Sequence, residues 1–235
     1  MTEPAALRAR LDGVRDRIAR AARRAGRDPS SIRLVAVSKT FPAADVRAAA
    51  EAGQVDFGEN KVQEALLKMD RTADLPLRWH LVGHLQFNKA RKAGARFDVV
   101  HSADSADLVA KLDETAAAAG RRIELLIQVD LAGESTKHGV PPERLAPILD
   151  AARRCEAARV VGLMLLPPAV AAPDAARPYF AAVRKLRDDL LAQGAGSSML
   201  AELSMGMSQD FEAAIEEGAT MIRVGSAIFG RRIVA

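Results

Sequence analysis

The chain has 235 residues, 49% of them hydrophobic, 27% charged and only 4% aromatic, with a formal net charge of +4; this is the balance of one globular domain covering 1–235, with a core built from Ala, Val, Leu and Ile. The only cysteine, Cys155, excludes an intrachain disulfide and a cysteine-based metal site. No apolar run approaches the ~20 residues that cross a bilayer, and the N-terminus lacks the order of a secretory signal, so a cytoplasmic location without a membrane partner is expected.

The positive charge is local. Residues 1–27 hold eight arginines against Glu3, Asp12 and Asp16, a net of +5, and the other 208 residues carry 26 basic and 27 acidic groups, a net of −1. In that segment Leu7, Leu11, Val14, Ile18, Ala21 and Ala25 recur at three- and four-residue spacing. This predicts an amphipathic helix packed on the domain, with its arginines on the solvated side. Without interleaved aromatics or a second basic patch, no nucleic-acid partner is expected.

After the break at Asp28-Pro29-Ser30-Ser31, residues 33–39 read as a β-strand, and Pro42 opens a helix over 43–52 that Gly53 ends. The unit then repeats. Strands are predicted near 55–58, 78–83, 98–101, 123–129, 160–165, 200–205 and 220–225. The helix-compatible stretches between and after them are 60–70, 87–94, 105–119, 141–154, 174–193, 209–217 and a short turn after 225. Each strand needs a crossover helix to return in the same direction, so the sheet is parallel. Eight repeats predict an α/β fold of the (β/α)8 or TIM barrel type, with an extra N-terminal helix; an open doubly wound sheet is the alternative. Gly194-Ala195-Gly196-Ser197-Ser198 follows a long helix and lacks a third glycine, which makes it a helix-to-strand loop rather than a phosphate loop.

In such a barrel reacting groups come from the C-terminal ends of the strands. Side-chain alternation puts Val35, Val37 and Lys39 on one face of the first strand and Leu34, Ala36 and Ser38 on the other. If the first face is the barrel interior, Lys39 caps a column of valines. Desolvation then lowers its pKa from about 10.4, and the neutral amine can attack an aldehyde. The other reading is a lysine that snorkels into solvent. The glycines and serines of Ser204-Met205-Gly206-Met207-Ser208 and Gly225-Ser226 follow strands 7 and 8, where barrels commonly bind phosphate. Together with Lys39 they suggest a phosphorylated aldehyde. Arg223 lies two residues before Gly225 and shares the side of Lys39 if strand 8 closes against strand 1. Its acceptor is a pyridine nitrogen or a buried carboxylate such as Glu59 or Glu202. His80 and His84 lie too far apart in extended chain to share a metal ion. His80 is either a strand-end side chain near a cofactor or a hydrogen-bonded core residue.

These residues resemble the pyridoxal 5′-phosphate (PLP) homeostasis proteins, the YggS-type or PROSC family. The matching stretches are Ala36-Val37-Ser38-Lys39-Thr40, Phe57-Gly58-Glu59-Asn60, Trp79-His80-Leu81-Val82-Gly83-His84-Leu85-Gln86, Gly162-Leu163-Met164, Leu203-Ser204-Met205-Gly206-Met207-Ser208, and Ile222-Arg223-Val224-Gly225 through Ala227-Ile228-Phe229-Gly230. The resemblance implies a barrel like the N-terminal domain of alanine racemase, with PLP held as a Schiff base on Lys39 and Asn60 and His80 beside it. It also implies that Ser204, Met205, Gly225 and Ser226 hold the phosphate and that Arg223 faces the pyridine nitrogen. Ser226 stands where the family often has threonine, and His84 where many bacterial members have proline.

An arginine at that nitrogen weakens the ring as an electron sink. The sole tyrosine, Tyr179, falls on a predicted helix away from the barrel mouth. The expected function is therefore a carrier that buffers PLP and supplies apo-enzymes, acting as a monomer without a complete catalytic apparatus. The alternatives are a PLP-dependent amino-acid racemase and a Schiff-base aldolase that uses Lys39 without a cofactor.

Overall fold

The computed structural model describes residues 3–133, 138–168 and 172–230. Among these, eight parallel strands close into a barrel in chain order: β1 (Arg33–Val37), β2 (Asp56–Glu59), β3 (Arg78–Leu81), β4 (Val99–Ala103), β5 (Ile123–Val129), β6 (Ala158–Leu165), β7 (Glu202–Ser204) and β8 (Met221–Val224). Helix α1 (Pro4–Arg24) precedes the barrel. The strands are followed in turn by α2 (Ala43–Glu51), α3 (Val62–Arg71), α4 (Ala90–Arg96), α5 (Ala106–Ala118), α6 (Leu145–Ala152), α7 (Arg177–Ala192), α8 (Phe211–Glu216) and α9 (Ser226–Phe229). The open-sheet alternative fails because β1 also pairs with β8.

Local chemistry sets the ends of these elements. Helix α2 stops where Gly53 takes φ +81, with the Gln54 N–H bonded to the Ala49 carbonyl and the Gly53 N–H to the Ala50 carbonyl, a Schellman ending. Helix α5 starts where Ser105 Oγ accepts from the Leu108 N–H. Three predicted helices begin later than their apolar pattern, because 3-10 turns at Phe87–Lys89, Pro142–Arg144 and Pro173–Ala176 precede α4, α6 and α7. Strand β3 ends before Gly83, whose backbone lies so close to Asn60 that a Cβ would meet the Asn60 carbonyl oxygen at 2.4 Å.

Leu34, Ala36, Phe57, Leu81, Leu163 and Ile222 join the large apolar cluster that includes the buried faces of the helices. Val35 and Val37 instead form a separate cluster with Val82, packed where Gly58 has no side chain: a Cβ there would meet Val35 at 3.0 Å and Val37 at 3.2 Å. These valines face the barrel interior. Helix α1 buries Leu7, Leu11, Val14, Ile18 and Ala21 as the periodicity predicts, but its arginines do not simply face water. Arg8 and Arg15 bond the carbonyls of Glu51 and Ala52 at the end of α2, Arg10 bonds that of Ile228 at 2.6 Å, and Arg27, just past the end of α1, bonds those of Ile215 and Ala219. Arg17 and Arg24 pair with Glu212 and Glu216 on α8. Long stems let these cations leave the apolar stripe sideways and reach carbonyls at and just beyond the ends of neighbouring helices. Hydrophobic periodicity does not report that reach.

Candidate functional site

A cavity of about 430 Å³ opens over the C-terminal ends of β8, β1, β2 and β3. From one side come Lys39, two residues past the end of β1, and Asn60, one past β2. From the other come Met207 and Ser208 after β7, Arg223 on β8, and Gly225 and Ser226 after it. Val37, Val82 and Leu166 supply apolar wall. Arg223 stands opposite Val35 in the parallel register of β1 and β8, so alternation turns its side chain inward with the valine column. Lys39 is partly exposed at the rim.

The backbone on both sides of Lys39 is held. Lys68 Nζ donates to the Ser38 carbonyl at 2.7 Å, to Glu59 Oε1 at 2.6 Å and to Glu64 Oε1 at 2.9 Å. Ser38 Oγ donates to Glu59 Oε1 at 2.6 Å. The Thr40 N–H donates to Glu64 Oε1, and Thr40 takes φ +70, a conformation uncommon for a residue with a side chain. Burial pushes the Glu59 carboxyl up from its ordinary range, and Lys68 opposes the push.

On the opposite side the N–H groups of Gly225 and Ala227 both point at Ser208 Oγ, at 3.2 and 3.4 Å. Two backbone donors thus converge on one oxygen at the cavity wall. The Gly225 backbone also passes close to β1, where a Cβ would meet the Val37 carbonyl oxygen at 3.1 Å. The turn that brings Ser208 there needs Gly206, with φ +90 and Ala214 only 2.5 Å from where a Cβ would sit. Asp210 accepts from the Met207 N–H at 2.6 Å and fixes the same turn.

Arg223 has neither of the carboxylate partners weighed from the sequence. Its Nη1 donates to Ser204 Oγ at 2.6 Å and its Nη2 to the Leu165 carbonyl at 2.9 Å. Glu59 is taken by Lys68 and Ser38, and Glu202 accepts from Thr220. Burial pushes the Arg223 guanidinium down to about 10, against the charge of Asp210, which leaves it a cation at neutral pH.

Three expected site residues lie elsewhere. Ser204 and Met205 are fully buried and do not line the cavity. Ser204 Oγ is taken by Arg223 and His101, and Met205 packs in the cluster shared with the helices. The loop presents its hydroxyl four residues later than expected, at Ser208, because the chain is still inside the barrel wall at 204 and 205. His80 is also fully buried and outside the cavity, bonded to His101 and Asp56 at 2.9 Å each. His84 does reach the rim, where its ring stacks on His138 at 3.4 Å between centroids. Sequence reasoning missed His101, Asp56, Ser208's role as the converging oxygen, and Asp210. An inward-facing histidine in the otherwise apolar run Val99-Val100-His101 was the available signal.

Residues 9–232 match the family described as alanine racemase, N-terminal domain. The pyridoxal phosphate homeostasis protein of Pseudomonas aeruginosa (strain PAO1) is 45% identical over 219 residues, 93% of either chain. The structure of PipY of Synechococcus elongatus PCC7942 with PLP bound superposes with a TM-score of 0.84 at 41% identity, covering 95% of this chain and all of that one. An alanine racemase of Clostridium difficile 630 shares the fold at a TM-score of 0.73 but only 16% identity, and 58% of its length is covered. A lysine and an arginine in one cavity, two backbone donors converging on Ser208 at its wall, and this degree of identity along nearly the whole chain agree: the protein belongs to the pyridoxal phosphate homeostasis protein family, built on the barrel of the alanine racemase N-terminal domain.

Proposed function

We propose that this protein binds PLP reversibly in the barrel-mouth cavity, buffers it, and supplies it to apo-enzymes. The observation that carries the reading is the convergence in one cavity of Lys39, Arg223 and the Ser208–Gly225–Ser226 wall. PLP supplies an aldehyde that an amine can capture covalently, with a phosphate at the other end of the molecule. Lys39 is the residue that forms the bond, its amine presented from a backbone held at Ser38 and Thr40. The Gly225 and Ala227 N–H groups, with the Ser208 and Ser226 hydroxyls, hold the phosphate. Arg223, a donor only, would face the ring nitrogen and disfavour its protonation. Val37, Val82 and Leu166 would exclude water from the ring, and Asn60 would flank it from the β2 side.

The same residues argue for holding over turnover. Arg223 gives the ring nitrogen no proton to draw electrons with. Tyr179, the sole tyrosine, lies on α7 and does not line the cavity. Adding PLP to the wild-type protein is expected to produce a visible absorbance band that Lys39→Ala lacks; an identical band in the variant would reject Lys39. L-Alanine incubated with the loaded protein is expected to keep its chirality as it does with free PLP.

A further inference from the structure

A line of side-chain hydrogen bonds crosses the barrel interior from the cavity to its far end. Arg223 Nη1 donates to Ser204 Oγ at 2.6 Å. Ser204 Oγ lies 2.9 Å from His101 Nδ1, His101 Nε2 lies 2.9 Å from His80 Nδ1, and His80 Nε2 lies 2.9 Å from Asp56 Oδ1. Ser204, His101 and His80 have no exposed surface, and Arg223 is 4% exposed. Only Asp56, at the start of β2, reaches the opposite rim, with 19% of its side chain exposed.

The two ends dictate every proton between them. A guanidinium has only donors, an ionised carboxylate only acceptors, and a neutral imidazole one of each. Asp56 therefore takes the hydrogen of His80 Nε2, which leaves His80 Nδ1 bare. That nitrogen takes the hydrogen of His101 Nε2, which leaves His101 Nδ1 bare to take the Ser204 hydroxyl hydrogen. The Ser204 oxygen is left to face Arg223 with its lone pairs. With both rings neutral there is no other assignment. Burial holds both rings below their ordinary range. At Asp56 burial works to raise the carboxyl, and the bond from His80 with the charges of Arg33 and Arg78 outweighs it, so the group stays ionised.

We propose that His101, His80 and Asp56 are positioning residues that force the Ser204 hydroxyl to accept from Arg223 and thereby fix the guanidinium at the cavity. This rests on the reading that the cavity holds PLP, and it goes further by assigning the orientation of Arg223 to a relay that touches neither the cavity nor its ligand. Arg223 needs such a device because its hydrogen-bond acceptors, Ser204 Oγ and the Leu165 carbonyl, are both neutral. A hydroxyl free to rotate could turn its hydrogen toward the guanidinium and push it away.

Two measurements test the relay. In the protein without PLP, nitrogen-15 NMR of the histidine rings at neutral pH is expected to find His80 and His101 neutral, each with its hydrogen on Nε2. A hydrogen on Nδ1 of either ring, or an imidazolium, overturns the assignment. Asp56→Leu is expected to add a second set of ring signals, and unchanged rings in that variant would remove Asp56 from the relay. With PLP, His101→Phe is expected to weaken binding about tenfold, the loss of one hydrogen-bond link, and to shift the visible band. The same substitution made on Ser204→Ala is expected to add nothing; equal losses on both backgrounds would reject action through Ser204. Failure to bind PLP at all would refute the proposed function, and the ring tautomers would still decide the relay.

Discussion

Two buried polar groups support the two sides of the cavity, and they differ in charge and in what they hold. Behind Lys39 lies an ionic cluster, with Lys68 between Glu59 and Glu64 in the layer between the sheet and α3. It grips backbone, at the Ser38 carbonyl and the Thr40 N–H, and so holds the chain on either side of Lys39. Behind Arg223 the links are neutral rings and a hydroxyl inside the barrel, and they hold a side chain. A cation beside a buried guanidinium would repel it, so neutral dipoles are the means of fixing Arg223 without adding charge next to it. The ions behind Lys39 lie outside the barrel interior, away from Arg223, with one lysine shared between two carboxylates.

The largest expected effect breaks the ionic side. Lys68→Met would leave Glu59, with no exposed side-chain surface, as a buried carboxylate without a cation. Loss of one partner of such a pair costs about 3–5 kcal/mol, to be read from urea unfolding. A loss below about 1 kcal/mol would mean that the cluster behaves as a surface ion pair.

The neutral side should show itself in acid. Burial holds His80 and His101 below their ordinary value of 6.5, so as the pH falls the unfolded chain takes up these protons first. The stability they support is intact above pH 6.5 and is lost as the pH falls through 6.5 toward the lower folded values. The slope has a ceiling of about 1.4 kcal/mol per pH unit for each ring. Urea unfolding between pH 6.5 and 5.5 should find a shallower slope in His101→Phe than in the wild type; a flat profile in the wild type would mean that the rings titrate normally. The smallest effect is expected from Asp56→Asn, whose amide oxygen still accepts from His80, at about 1 kcal/mol. A loss as large as that of Lys68→Met would erase the contrast between the two sides.

Much of this was legible in the sequence. The repeated strand and helix patterns predict the closed barrel, and alternation along β1 and β8 predicts that Lys39 and Arg223 share the inward side. What escaped depends on contacts across the barrel rather than along a strand. The bond between His80 and His101 comes from the stagger of β3 against β4, where His80 aligns with Val99 and not with His101, and no single-strand pattern encodes that offset. Ser204 and Met205 are placed at the phosphate by the family resemblance; in the structure both are buried, and after the turn at Gly206 it is Ser208 that lines the cavity. The arginines of α1 escaped for a different reason: Arg8, Arg10 and Arg15 reach backbone carbonyls near helix ends, which every sequence has and none advertises.

The central claim is that Lys39 is the residue that captures PLP. Reducing the loaded protein with borohydride makes that attachment permanent, and mass spectrometry of its peptides then locates it. The account predicts the pyridoxyl group on the peptide containing Lys39 and on no peptide of Lys39→Ala. Attachment at Lys61 or Lys68 in the wild-type protein, or an equally labelled Lys39→Ala, would contradict it.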